Sequence, residues 1–145
     1  MAQVEDSFHL GVKALIRSPA GKVLLLEREH RTKGMYWDIP GGRLHKGESL
    51  LETLKRELEE EIGLRDIEGV APFMTVVTEI RIHSHGNDVG LILSIYKLSL
   101  DDAFTPRLSD EHSNFGWFTL MEAAELLKKQ YPREFIENLT RCEAS

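Results

Sequence analysis

Runs of apolar and polar residues along the first third of the chain predict β-structure. Residues 8–16 alternate and are rich in small and β-branched side chains, a pattern typical of a strand. Turn residues at 18–22 and an apolar run at 23–27 predict the returning strand of a hairpin. After a polar, basic loop, residues 36–39 predict a short extended segment. A turn at Pro40-Gly41-Gly42 is expected to end this segment.

Residues 49–62 predict one long amphipathic helix. Strong helix formers fill this segment, and Gly63 follows where a left-handed C-terminal cap belongs. Ser49 and Glu52, three residues apart, predict a capping box at the other end. On a helical wheel the apolar residues form one stripe, with Glu61 at its edge. The members of the stripe are Leu50, Leu51, Leu54, Leu58 and Ile62.

The second half of the chain predicts three more strands and two short helices. Long strand-like runs at 70–82 and 89–100 are joined by a polar loop at 83–88. A short strand is predicted at 115–120, and helices at 122–129 and 133–140. We therefore expect an α/β fold in which helices pack on one mixed sheet, with residues 1–145 forming a single domain.

Composition and charge exclude several classes of protein. The chain has 145 residues, a net charge of −6 and one cysteine, which excludes an internal disulfide framework and a thiolate zinc cluster. The acidic balance argues against a nucleic acid polymer as partner. The longest uncharged stretch, residues 69–78, is too short to span a membrane. The N-terminus carries no secretory signal pattern, so we expect a cytoplasmic location.

The negative charge is concentrated between residues 48 and 61, where six glutamates stand against two basic residues. Glu57, Glu60 and Glu61 share one flank of the predicted helix, where like charges repel. Their position in its C-terminal half is also disfavoured by the helix dipole. Beside the buried stripe, one carboxylate should tend to remain protonated. A solvated acidic face and a site for a hard divalent cation, Mg²⁺ or Mn²⁺, are the two interpretations.

Residues 42–64 resemble the Nudix box, the motif that defines the Nudix hydrolases. The family pattern is glycine, five residues, glutamate, seven residues, then Arg-Glu-aliphatic-any-Glu-Glu-any-Gly-aliphatic. Gly42, Glu48 and the segment from Arg56 to Leu64 match every defined position. The resemblance implies an α/β/α sandwich, with the Nudix helix on one side of the sheet and the C-terminal helices on the other. It also implies metal-dependent hydrolysis of a diphosphate bond in a nucleoside diphosphate derivative.

The resemblance further implies a role for each matched residue. Glu57, Glu60 and Glu61 are expected to bind Mg²⁺ or Mn²⁺ together with the backbone carbonyl of Gly41. Glu48 and Arg56 are expected to support and orient these catalytic glutamates. The general base lies either on the helix or in a later loop, where Glu111 is the candidate; the alternative for Glu111 is a solvated residue.

The motif does not specify the substrate, so residues outside it must bind the nucleoside and the phosphates. Arg28, Arg31 and Lys33 are candidates for phosphate contacts, with simple solvation as the alternative. Trp37, next to Tyr36, is a candidate for base stacking, although such aromatics more often belong to a core. His83 and His85 lack the further ligands that a metal site needs.

A small-molecule nucleotide is the expected partner. The first choice of substrate is a nucleoside triphosphate or modified nucleotide, cleaved to pyrophosphate and a monophosphate. A nucleotide sugar or dinucleotide polyphosphate is the alternative. A non-catalytic nucleotide-sensing module is the hypothesis from another class, and a homodimer is left open.

Overall fold

A mixed β-sheet runs through the computed structural model, which describes residues 3–110, 112 and 114–142. The strands are β1 (Phe8–Arg17), β2 (Val23–His30), β3 (Gly34–Asp38), β4 (Gly41–Arg43), β5 (Ala71–Ser84), β6 (Asn87–Ser99) and β7 (Asn114–Phe118). The helices are α1 (Leu50–Ile62), α2 (Leu120–Leu127) and α3 (Arg133–Thr140).

The sheet has the strand order β3-β2-β1-β6-β5, with β4 also paired to β1 and β7 also paired to β2. Strands β1 and β6 are parallel from Phe8 opposite Gly90 to Arg17 opposite Ser99, whereas the other pairs are antiparallel. Because β1 lies in the middle and pairs with three strands, it fixes the position of the short β4 segment beside α1.

Both faces of the sheet are buried, which confirms the expected α/β/α sandwich. Ala14 and Ile16 of β1 pack in the cluster that contains the apolar face of α1. Leu15, between them in sequence, points to the other face and packs with Leu127 of α2 and Phe135 of α3. This alternation follows from the two-residue period of a strand, and burial of both faces accounts for the continuous apolar runs at residues 14–16 and 23–26.

Helix α1 begins and ends at the residues that the sequence predicts. The hydroxyl of Ser49 accepts a hydrogen bond from the backbone N–H of Glu52, and the Glu52 carboxylate accepts one from the N–H of Ser49. Gly63 takes the left-handed conformation at φ 73°, and its N–H donates to the carbonyl of Glu59. The apolar stripe is confirmed except at Leu51, which is 48% exposed.

Several boundaries differ from the sequence-based prediction. Residues 41–43, predicted as a turn, form strand β4, with Gly42 opposite Val12. The local sequence does not indicate this strand, because its hydrogen-bonding partner is distant in sequence. The hairpin between β5 and β6 turns at His85 and Gly86 alone, whose φ values of 52° and 78° suit a two-residue turn. Helix α2 starts at Leu120 because Thr119 caps it. None of the helices within the described ranges is both long and apolar enough to span a bilayer.

Replacing Ser49 with alanine should destabilise the protein by about 1 kcal/mol, because the substitution leaves the N–H of Glu52 without its capping oxygen. Urea-induced unfolding measures this change. Ser49→Asp keeps a capping oxygen and serves as the matched control. Equal unfolding free energies for the alanine variant and the wild type would show that the cap contributes nothing.

Candidate active site

An open cleft of about 430 Å³ lies beside the C-terminal half of α1. The segment before β7 closes one side, because the N–H groups of Arg107 and Ser109 donate to the carbonyls of Ile62 and Glu61 at 2.9 and 3.1 Å. The chain thus returns to the helix end that carries the glutamates. The cleft is lined by His45, Arg56, Glu57, Glu60, Glu61, Ser109 and Asp110.

Arg56 connects the entry loop of α1 to the glutamates. Its guanidinium donates to both carboxylate oxygens of Glu48, at 2.7 and 3.0 Å, and to Glu57 at 2.8 Å. Contacts of 3.4 Å to Glu60 and 3.2 Å to the carbonyl of Arg43 complete its surroundings. The hydrogen bonds from Arg56, with others from the N–H of His45 and the hydroxyl of Thr53, lower the pKa of Glu48 to about 2. Arg56 and Glu48 therefore form a fixed, charged support.

Close approaches surround the two glycines of β4. A Cβ atom on Gly42 would lie 2.2 Å from Cδ of Glu57, so a side chain there would displace the end of the flexible Glu57 side chain from its present position. Gly41 has φ 147°, and a Cβ atom there would lie 2.1 Å from the carbonyl oxygen of Val12. Backbone and carboxylate oxygens are thereby brought together at the wall of the cleft.

Glu61 is the buried member of the glutamate group, with only 3% of the residue exposed. One carboxylate oxygen accepts the N–H of Gly41 at 2.7 Å, and the other accepts Nη2 of Arg28 at 2.9 Å. Burial raises the pKa of Glu61 to about 7 although Arg28 and the Gly41 N–H favour the charged form. This agrees with the expectation that one carboxylate on this flank resists ionisation.

A polar network continues from Glu61 into the interior. Asp38 forms an ion pair with Lys13 at 3.0 Å, accepts the hydroxyl of Tyr131, and lies 4.0 Å from Nε of Arg28. Burial alone would raise the pKa of Asp38, but Lys13 and then Arg28 hold it below the ordinary value. The Asp38 carboxylate is therefore charged and in turn attracts Arg28.

His112 approaches Glu61 from the segment before β7. Its Nε2 atom lies 3.3 Å from the Glu61 carboxylate in a side chain that is fully buried. Burial, with Arg28 and Lys13 nearby, lowers the pKa of His112 to about 4. The imidazole is thus neutral near pH 7 and does not neutralise Glu61.

Sequence reasoning missed this buried network. Lys13 carried a usable signal, since it is a charged residue within an otherwise apolar strand. Asp38, Tyr131 and His112 carried none, because their roles depend on contacts between distant segments. Asp110 lines the cleft, whereas only its neighbour Glu111 was a candidate.

The structure brings some of the predicted residues together and not others. The box residues and Arg28 lie at the cleft wall or directly behind it. Arg31 and Lys33 are exposed and do not line the cleft. Trp37 packs edge-on against Phe118, with ring centroids 5.1 Å apart, in the layer of α2 and α3. Glu111 lies outside the described residues. The functional roles of all these residues stay predictions.

The donor set at the cleft suits a hard divalent cation. It consists of carboxylate oxygens and the backbone carbonyl of Gly41, the oxygen ligands that Mg²⁺ and Mn²⁺ prefer. The raised pKa of Glu61 indicates that its negative charge is incompletely compensated. Within the described ranges, however, no three acidic or histidine side chains already converge on one point. The residues thus fit a metal in type, while their present contacts are to arginine.

Comparison with known proteins establishes the family. A sequence model of the NUDIX domain matches residues 7–139. The chain belongs to the Nudix family. This Nudix protein resembles a MutT protein from Methanosarcina mazei Go1, with a TM-score of 0.74 and 28% identity over 96% of this chain and 95% of that one.

Curated relatives include proteins of very different length. CTP pyrophosphohydrolase of Escherichia coli is 28% identical over 83% of this chain and 80% of its own length. An octanoyltransferase of Myxococcus xanthus is 30% identical over 86% of this chain but only 34% of its own length. The 8-oxo-dGDP phosphatase NUDT18 of Homo sapiens is 40% identical over 37% of this chain and 16% of its own. The match thus spans about a third or less of the latter two proteins.

Gly42→Ala should lower the free energy of unfolding by about 1 kcal/mol, the low end for overpacking, because the new methyl group collides only with the movable end of the Glu57 side chain. Glu57→Asp shortens the colliding side chain, so the same glycine replacement should cost less in that background. Urea unfolding of the wild type, both single variants and the double variant measures this coupling. Strict additivity would contradict the proposed collision.

Acidification should remove the stabilising contribution of Glu48. Because its pKa of about 2 in the folded protein lies below the ordinary 4.5, the contribution is complete above about pH 4.5 and is lost as the pH falls towards 2. Glu48→Gln should therefore have a lower Tm than the wild type at neutral pH. The difference in Tm between the two proteins should be smaller at about pH 3. Glu59→Gln, which removes only an exposed pair with Arg65, is the control. A difference independent of pH would contradict the assignment.

Proposed function

We propose that this Nudix protein hydrolyses a diphosphate bond in a nucleoside diphosphate derivative with the help of Mg²⁺ or Mn²⁺. One observation carries the proposal: the glutamates of the box, the Arg56 support and the close backbone approach of β4 meet at a single cleft. A solvated acidic face needs neither a glycine under Glu57 nor a buried Glu61.

The protein's own residues would position the reactants. Arg56 holds Glu57 and Glu60 from one side, while Glu48 fixes Arg56 through two hydrogen bonds. The Glu60 side chain is 59% exposed, so it is free to face the attacking water as a general base. Glu111 is the alternative base, and its neighbour Asp110 lines the same cleft. Glu60 on the helix and Glu111 in the later loop are thus the two proposed candidates for the base.

Glu57, Glu60, Glu61 and the carbonyl of Gly41 are the residues that would hold the metal. Bound there, a divalent cation neutralises phosphate oxygens and activates water for attack on phosphorus. Arg28 lies beside two of these ligands, Glu61 and the carbonyl of Gly41, and would supply positive charge for the phosphates.

A nucleoside triphosphate or modified nucleotide is the first choice of substrate. Support comes from CTP pyrophosphohydrolase, a relative matched over most of both lengths. Nucleotide sugars and dinucleotide polyphosphates are the alternatives. A non-catalytic sensing module is disfavoured, because every glutamate of the box is present. A cytoplasmic location and a homodimer remain predictions.

Glu57→Gln and Glu60→Gln should each reduce kcat at least about 100-fold, because each removes a negative oxygen from the expected metal site. Glu59→Gln is the matched control, since Glu59 lies on the same helix, pairs with Arg65 and does not line the cleft. Product release from nucleoside triphosphates, nucleotide sugars and dinucleotide polyphosphates is measured with Mg²⁺ and with Mn²⁺. Wild-type rates in both cleft variants would refute the assigned roles. Nucleotide binding without any product would favour the sensing module.

A further inference from the structure

Arg28 contacts two of the expected metal ligands through one nitrogen. Its Nη2 atom lies 2.9 Å from the carboxylate of Glu61 and 3.5 Å from the carbonyl oxygen of Gly41. A divalent cation held by the same two oxygens would bring a second positive group against this guanidinium. Electrostatic repulsion therefore disfavours the present position of the Arg28 guanidinium once the cation is bound.

Arg28 is also the main source of positive charge at Glu61. Nε2 of His112 lies 3.3 Å from the carboxylate but forms no hydrogen bond within the part of the chain that the structure describes. The ammonium group of Lys13 forms its ion pair with Asp38, at 3.0 Å. Without a metal, the burial of an ionised Glu61 thus depends chiefly on Arg28.

The two arginines of the site are held very differently. Arg56 donates to three carboxylates and one carbonyl, so it is fixed. Arg28 has one short hydrogen bond to Glu61, and its buried Nε finds no hydrogen-bond partner within the part of the chain that the structure describes. Asp38 attracts it at 4.0 Å without fixing it. Arg28 is therefore held by fewer hydrogen bonds than Arg56, and its main partner is an expected metal ligand.

We propose that Arg28 is a resident counter-ion, which occupies the metal position while the site is empty and turns towards the substrate phosphates when the metal binds. This inference rests on the proposed function of the cleft. A released guanidinium is well suited to phosphate, because its planar set of N–H donors matches two phosphate oxygens. Metal binding and phosphate binding are thereby linked through one side chain, and the linkage is reciprocal.

Metal affinity without nucleotide tests the competition. Arg28→Gln should bind Mn²⁺ at least about fivefold more tightly than the wild type, measured by calorimetry or electron paramagnetic resonance, because no side-chain cation has to be displaced. The same variant should show a raised KM. Arg65→Gln makes the same change in net charge outside the cleft and should leave the Mn²⁺ affinity unchanged. Equal or weaker Mn²⁺ binding by Arg28→Gln would overturn the proposal.

A second measurement uses the wild-type protein and therefore does not depend on whether a variant folds. In the nitrogen NMR spectrum, Mg²⁺ should show that the Arg28 guanidinium is released from Glu61. The Arg56 guanidinium should stay immobilised by its two hydrogen bonds to Glu48, which is not an expected metal ligand. Saturation of the α1 amide shifts by Mg²⁺ with no change at Arg28 would overturn the inference while leaving the metal site intact. Absence of any Mg²⁺ or Mn²⁺ effect on α1, with no hydrolysis, would instead refute the proposed function itself.

Discussion

The arrangement of the site depends on one buried carboxylate, that of Glu61. A carboxylate with 3% exposure is unfavourable unless hydrogen bonds and a positive group compensate for lost hydration. The fold supplies an N–H from Gly41 and a guanidinium from Arg28. These two bonds join α1 to β4 and β2. A single electrostatic requirement thus fixes the helix against the strands that form the wall of the cleft.

The glycines of β4 follow from the same requirement. For the N–H of Gly41 to reach Glu61, β4 must lie against both β1 and α1, where Val12 leaves no room for a side chain at position 41. Gly42 then faces the Glu57 carboxylate so closely that a Cβ at position 42 would displace it. The pair of glycines is therefore a consequence of close packing between a strand and charged side chains, rather than the simple turn that the sequence suggests.

Features that depend on neighbouring residues could be predicted from the sequence. The caps at the two ends of α1 were predicted correctly, because each depends on residues close in sequence. Ser49 and Glu52 act within the first turn, and Gly63 acts at the last turn. The position of β4 was missed because its ladder pairs residues about thirty positions apart. The Nudix motif located the glutamates, but it carried no information on Lys13 or Asp38. Buried ionic contacts between separate segments have no local pattern, so only the folded chain reveals them.

The acidic balance of the chain acquires a different meaning once its charges are paired. Glu48 is compensated by Arg56, and Asp38 by Lys13 and Arg28. Glu61 shares Arg28 with Asp38 and keeps a pKa near 7, so its compensation is incomplete. The deficit is local and lies at the cleft rather than over the surface. A cation bound there reduces the deficit and releases Arg28, after which the cation and the guanidinium can both attract a polyphosphate. The negative charge of the sequence is therefore compatible with an anionic substrate, provided that a cation binds first or binds together with the substrate.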